Sequence, residues 1–388
     1  MKSFQRWMVI PAVMVLIGII GTIAKLLYGD HLLGTTAAVP WGILIAGYVF
    51  FAAAATGVGL IAGLGHVTSI PEFAAIEKRG SFLALSLLLA GFWLIGIELG
   101  NPLNMIYIVI SPNLQSGIWW MGFLYSLYMG SLILECYYSQ VKPEYLHNRY
   151  IGILVIINKV AAVCNLGAIF AVLANRPFWY GYYLPAYMLV TAVLSGAAAL
   201  IVTVYAVSRE QGSVLADSIM PMLRKVMGYT LVITLILDIW KIYNGLNAPD
   251  YALRTATTAL ISGPLAWRFW SLEIVIGLML PVIFVFILKY SIKRVVAAAG
   301  MSLAGIFFIR LDFIVAAQIV PQIVVEGIQS TIFHSYSASL AEWALIAGAF
   351  GASILVYGVS EFKLNLKSDK TGNVVLGPHC RAESIKEG

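Results

Sequence analysis

The side chains best suited to chemistry in this sequence are charged groups set inside apolar stretches: Glu98, Glu135, Lys159, Asp238, Lys241, Glu273, Arg310 and Asp312, with Asn158 and Asn165 as polar neighbours. Burying a charge in hydrocarbon costs at least a few kcal/mol, so such residues pair with one another or line a path for protons or ions. Asp238 and Lys241 are three residues apart on one helix and can pair directly. Arg310 and Asp312 are two apart, cannot share a face, and each needs a partner on another helix. At about 1.5 Å per residue, Glu98, Glu273, Arg310 and Asp312 fall in the outer third of the membrane and Asp238 near its midplane. Lys159 and Glu135 fall in the inner half. That spread reads as a proton path through Glu135, Asn158, Lys159, Asp238, Lys241, Glu273, Arg310 and Asp312. The competing reading is a set of ion pairs that pin helices together.

A second constellation gathers at the outer end of the third apolar stretch: Glu98, Asn101 and Asn104, with Tyr125 and Tyr128 opposite. Pro102 interrupts the helix there, and freed backbone groups at membrane depth need a protein-lined or watered cavity. Tyr48 lies at similar depth, about two turns below Trp41. A quinone headgroup needs hydrogen-bond partners at two oxygens, aromatic walls and a route for two protons. Trp41, Tyr48, Glu98, Asn101, Asn104, Tyr125 and Tyr128 are the binding residues expected on that basis. Tyr48 and Glu98 would act on the ring, Glu98 by exchanging a proton.

The elements that must hold these groups follow from composition. The chain has 388 residues, 61% hydrophobic and 11% charged, where a soluble domain carries about 25% charged residues. Apolar runs long enough to cross a bilayer are read at Trp7–Tyr28, Pro40–Gly65, Ser81–Gly100, Gly117–Tyr138, Ile151–Ala174, Leu184–Val207, Val226–Asn244, Ser271–Ser291, Arg294–Ile319 and Leu340–Phe362. The first lies behind Lys2 and Arg6 like a signal peptide, but lacks a convincing small-residue cleavage site and is read as a retained helix. The fold expected is an all-α polytopic membrane protein of about ten transmembrane helices, arranged as two four-helix bundles plus peripheral helices. Residues 1–362 form the membrane domain and 363–388 a flexible cytoplasmic tail.

Lysines and arginines concentrate in alternate loops, which places both termini inside. The net charge of +6 therefore speaks of orientation and not of nucleic acid. Outer loops carry rings instead, among them Trp119, Trp120, Phe178, Trp179, Tyr180, Tyr182, Tyr183, Trp267, Phe269 and Trp270. They read either as an interfacial belt or as a docking surface, to which the long outer segment 245–270 is suited. No strong internal repeat is legible, although the second and sixth stretches both open with Pro40 or Pro185 and then run into small residues. The three cysteines form no CxxC pair and the five histidines fall in loops or at helix ends. No haem and no iron–sulfur cluster is expected on this chain.

Several segments together resemble the NrfD/PsrC family of membrane subunits. They are Pro40-Trp41-Gly42 followed by Tyr48, Phe50, Phe51 and Gly57; 111–125 (SPNLQSGIWWMGFLY); and 175–199 (NRPFWYGYYLPAYMLVTAVLSGAAA). Also similar are 270–281 (WSLEIVIGLMLP), the pair Arg310 and Asp312, and 336–343 (YSASLAEW). Ten spans point to the longer branch, which includes DsrP-like and HybB-like subunits. The resemblance implies a subunit that takes menaquinone or ubiquinone as substrate near the outer face of its first bundle. It implies a ferredoxin-like iron–sulfur partner docked outside, further subunits of a respiratory complex, and the cytoplasmic membrane of a prokaryote. The eight-span polysulfide reductase type places a histidine in its quinone site, which this sequence lacks above His66; Tyr48 or Glu98 is expected in its place. The alternative function is a secondary transporter, for which Asp238 and the break at Pro102 would be the central features.

Overall fold

A computed structural model describes residues 2–68, 70–100, 102–141, 149–212, 215–321, 333–364 and 366. Eleven helices organise it: α1 (Lys2–Tyr28), α2 (Ile43–Val67), α3 (Pro71–Glu98), α4 (Gly117–Val141), α5 (Arg149–Ala171), α6 (Leu184–Gln211), α7 (Leu215–Leu246), α8 (Tyr251–Ile261), α9 (Ala266–Ile287), α10 (Ile292–Ile319) and α11 (Leu340–Lys363). All but α8 are long and apolar enough to cross a membrane, and no strand occurs among the described residues. An even number of crossings puts both ends of the chain on one side. The tail expected to be flexible lies, beyond Leu366, outside the described residues, as does Asn101.

Two bundles of four helices form the centre. Helices α2, α3, α4 and α5 pack in a ring, and α6, α7, α9 and α10 form a second ring. The bundles meet where α6 lies against α2 and α5, and α10 against α2. Helices α1 and α11 pack on each other outside the first bundle, mainly against α3. The seam between bundles depends on two glycines. A Cβ on Gly57 would overlap the Ala192 carbonyl, and one on Gly196 would overlap the backbone of Gly57. Small residues let membrane helices approach this closely and supply packing where lipid offers no hydrophobic drive. Tyr48 stands nine residues before Gly57, as Tyr187 stands nine before Gly196, with Thr56 and Ser195 next to each glycine. The two bundles thus begin on helices of matching register and direction.

Several boundaries differ from the expected ones for identifiable reasons. Helix α3 starts at Pro71 rather than Ser81, with proline at a position where its missing N–H is harmless. Its charged first turns are helical because Arg79 is buried and pairs with Glu361 of α11 at 2.9 Å. Glu361 also accepts the Tyr357 hydroxyl at 2.9 Å and the Gln211 amide at 2.8 Å. Helix α7 starts at Leu215 rather than Val226. There Arg224 reaches across to the Val285 carbonyl, with Nε at 3.0 Å. That carbonyl lies in α9, which is π-helical over Phe269–Met279 and Ile283–Ile287. Wide turns of this kind are rare and frequently sit at functional positions.

Candidate functional site

At the outer face, Glu98 ends α3 with Oε2 buried and without a hydrogen-bond partner. Its charged neighbours are Lys25, Asp30 and Glu342, from α1, the loop after it and α11. Lys25 pairs with Asp30 at 3.2 Å. Glu342 is fully buried and serves as the acceptor for three donors from two segments. Oε2 takes the N–H groups of Gly34 and Ser339, each at 2.8 Å, and Oε1 takes the Tyr336 hydroxyl at 2.9 Å. The Tyr336 oxygen in turn accepts the Ile43 N–H at 2.7 Å, which caps α2 in place of a side chain on Gly42. Burial and the adjoining Glu342 carboxylate push the Tyr336 hydroxyl pKa well above its ordinary value.

Tyr48 belongs to a different group. Its ring lies edge-on to Tyr125 with centroids 6.4 Å apart, and Tyr125 is at the same separation from Tyr128. All three are buried. The Tyr125 hydroxyl faces Thr56, whose own hydroxyl is given to the Ala52 carbonyl at 2.8 Å, and is left without a well-formed hydrogen bond. Tyr128 donates to the Ala55 carbonyl at 2.8 Å. Below it the Lys159 ammonium sits 5.7 Å from the Tyr128 ring centroid, pairs with Glu135 at 3.0 Å and donates to the Gly59 carbonyl at 3.2 Å. The second Glu135 oxygen accepts from Ser81 at 2.9 Å. An aromatic and polar file therefore descends through the first bundle from Tyr48 to Glu135. Asn158, with both amide atoms buried and unpartnered, lies beside it on α5.

The remaining expected site residues fall elsewhere. Trp41 stacks on Trp179 at 5.3 Å and meets Phe170 edge-on at 5.9 Å. Its backbone is clasped by Gln318, which accepts the Trp41 N–H at 3.0 Å and donates to its carbonyl at 2.8 Å. Trp41 is thus a wedge between the bundles. Asn104 lies on the exposed outer turn Pro102–Ile106, away from the tyrosine file.

The second bundle holds its own charged group. Asp238 accepts the Tyr187 hydroxyl at 2.8 Å and does not form the ion pair with Lys241 that their spacing allows. Lys241 turns instead onto ring faces, 4.2 Å from the Phe178 centroid and 5.1 Å from that of Phe313. A buried tyrosine hydroxyl on a facing helix competes better for Asp238 than a lysine one turn away on the same helix. Arg310 and Asp312 do find partners on other helices. Arg310 donates to Thr191 Oγ1 at 2.5 Å and to Met188 Sδ at 3.0 Å on α6. Asp312 pairs with Arg268 and faces the Glu273 carboxyl, both on α9. Arg310 is within electrostatic reach of both groups, Tyr125 in the first bundle and Tyr187 and Asp238 in the second.

Glu342, Tyr336 and Gln318 were not among the expected site residues. A signal for Glu342 existed: Ser339 and Glu342 carry the S-x-x-E spacing of a capping box, and both of its bonds are formed. Tyr336 and Gln318 act through backbone groups distant in sequence, for which no local pattern exists.

Ten membrane helices built around two bundles, with ionisable groups lining each bundle, define a multi-pass membrane protein with buried polar files. The chain belongs to the polysulphide reductase NrfD family, whose model matches residues 31–322. It is similar to one of the subunits of the selenate reductase of Mesobacillus selenatarsenatis, with 23% identity over 391 residues covering 89% of this chain and 90% of that protein. It is also similar to the Hdr-like menaquinol oxidoreductase integral membrane subunit of Archaeoglobus fulgidus, with 23% identity over 357 residues covering 86% and 88%.

Proposed function

We propose that this chain is the quinone-reactive membrane subunit of a multisubunit respiratory oxidoreductase in the cytoplasmic membrane of a prokaryote. It passes electrons between menaquinol or ubiquinol and a ferredoxin-like iron–sulfur subunit on the outer face. The observation that carries the reading is the buried file Tyr48–Tyr125–Tyr128–Lys159–Glu135, which provides rings and hydrogen-bond groups inside an otherwise apolar bundle. A relative named as a menaquinol oxidoreductase subunit supports the substrate class. Tyr48 and the free Tyr125 hydroxyl hold the headgroup. Glu98 exchanges a proton with the outer side. Oxidation of a quinol releases two electrons, taken one after the other by the iron–sulfur subunit, and two protons, one passed to Glu98 and the other released to the outer water. Glu135, Asn158 and Lys159 in the first bundle, and Asp238, Lys241, Glu273, Arg310 and Asp312 in the second, carry protons across the membrane.

The test is purification in mild detergent followed by mass spectrometry of the accompanying subunits and extracted quinone. An iron–sulfur protein together with menaquinone or ubiquinone is the expected result. A chain that purifies alone, or as a homo-oligomer without quinone, overturns the proposal and turns attention to transport through Asp238.

A further inference from the structure

A cavity of about 370 Å³ opens at the outer end of the second bundle, between the start of α6, the end of α7 and α8. Its wall is formed by Phe178, Tyr183, Trp240, Leu253 and Thr257, with Lys241 at one side. The Tyr183 and Trp240 rings meet edge-on at 5.2 Å and make a firm aromatic corner. Lys241 is the unusual member. Among the described residues no carboxylate reaches it as an ion pair, and its partners are the faces of Phe178, Phe313 and, at 6.0 Å, Tyr187. Ring faces attract a cation but leave its N–H donors unspent. Lys241 is half-buried and lines the cavity, so these donors are open to an acceptor that enters from outside the chain.

The rest of the cavity selects that acceptor. A phosphate or free carboxylate would call for several charged donors, whereas this wall carries one ammonium group. Thr257 and Asn244 donate to the Leu253 and Trp240 carbonyls at 2.8 Å and 2.7 Å, and the rest is mainly aromatic and aliphatic. A flat ring with an oxygen at its edge fits both features. The volume is at the small-molecule end of ligand pockets, which run from about 300 Å³. The register of the helices points the same way. Tyr187, against which Lys241 rests, occupies on α6 the position that Tyr48 occupies on α2. The second bundle thus repeats a tyrosine at this register, with Lys241 of α7 beside it.

We infer that the cavity at Lys241 binds a quinone headgroup, with the ammonium donating to a ring oxygen between Phe178, Tyr183 and Trp240. The chain then carries two ring sites, one in each bundle. The inference rests on the quinone reading of the first bundle, and one experiment separates the two. The full complex in nanodiscs is irradiated with an azido-naphthoquinone, and labelled peptides are mapped by mass spectrometry in wild type, Lys241→Met and Leu253→Trp. Leu253→Trp fills the cavity from α8 without touching a buried charge, so it holds if Lys241→Met fails to assemble.

Label on peptides of both bundles, with the second-bundle label reduced at least tenfold by Leu253→Trp while the first is retained, is the expected result. Label confined to the first bundle overturns the second site and leaves the proposed function standing. Label confined to the second supports this site and removes the assignment to Tyr48 and Tyr125. Label on neither, under conditions where the probe labels a control quinone enzyme, overturns both. Second-bundle labelling that Leu253→Trp leaves unchanged refutes the cavity as its location.

Discussion

Removal of the Lys159 ammonium tests whether the inner part of the first-bundle file holds a true buried ion pair. At 3.0 Å from Glu135, two unit charges attract by about 5–6 kcal/mol at an effective dielectric near 20. Much of this is offset by the cost of taking both from water, so the pair adds little net stability compared with a neutral one. Loss of one partner is a different matter. In Lys159→Met, Glu135 keeps only the Ser81 hydroxyl at 2.9 Å, and the uncompensated charge should destabilise the protein by about 3–5 kcal/mol. The double variant Lys159→Met with Glu135→Gln removes both charges and should recover most of that loss. Stability is read from detergent-denaturation curves followed by circular dichroism, and the four proteins form a double-mutant cycle. A coupling energy near zero, with the double variant as unstable as the sum of the singles, would refute the buried-pair argument. If the double variant regains stability and quinol turnover but lacks charge movement in proteoliposomes, the pair also carries protons.

Three further outcomes are expected. Glu98→Gln should lower quinol turnover by about 10²-fold or more while the complex assembles, since positioned acid–base groups contribute about 10²–10⁴-fold; unchanged turnover in a dye-reduction assay would remove Glu98 from the reaction. Tyr187→Phe deletes the 2.8 Å bond to Asp238 and should weaken charge translocation while electron transfer continues, which simultaneous recording of a pH dye and quinol absorbance would resolve. Gly196→Leu forces a side chain into the backbone of Gly57 and should abolish the folded monodisperse peak in size-exclusion chromatography, whereas Gly130→Leu, a position with open space around its would-be Cβ, should leave it intact.

The helices were largely legible because membrane spans announce themselves by length and apolarity, and Gly117, Leu184 and Leu340 begin spans where expected. The misjudged starts of α3 and α7 share one cause. Arg79 and Arg224 look like loop residues in sequence, yet each extends an inner helical turn by bonding to another helix. Within the site, a requirement proved easier to read than a partner. That Arg310 and Asp312 must face different helices follows from their spacing; that Thr191, Met188 and Arg268 would meet them does not. The pairing open to Lys241 and Asp238 does not form, and spacing along one helix says nothing of a tyrosine on the next. Glu342 escaped because a glutamate at the third position of a helix is ordinarily a surface cap, and only the folded chain brings Gly34 and Tyr336 to it.

The pairing of α1 with α11 bears on how the protein is made. The Gly18 and Gly348 backbones touch, so α1 finds its main neighbour in α11, which is made much later. At roughly 5–20 residues per second, α1 waits roughly 15–60 s in the bilayer, held meanwhile through Thr22, which accepts the Trp93 indole N–H at 3.1 Å. During that interval its glycine face is open to lipid, to other nascent chains and to membrane proteases. A chain truncated before residue 340 would keep both bundles yet remain permanently in this waiting state, marked for removal by the bare groove on its first helix.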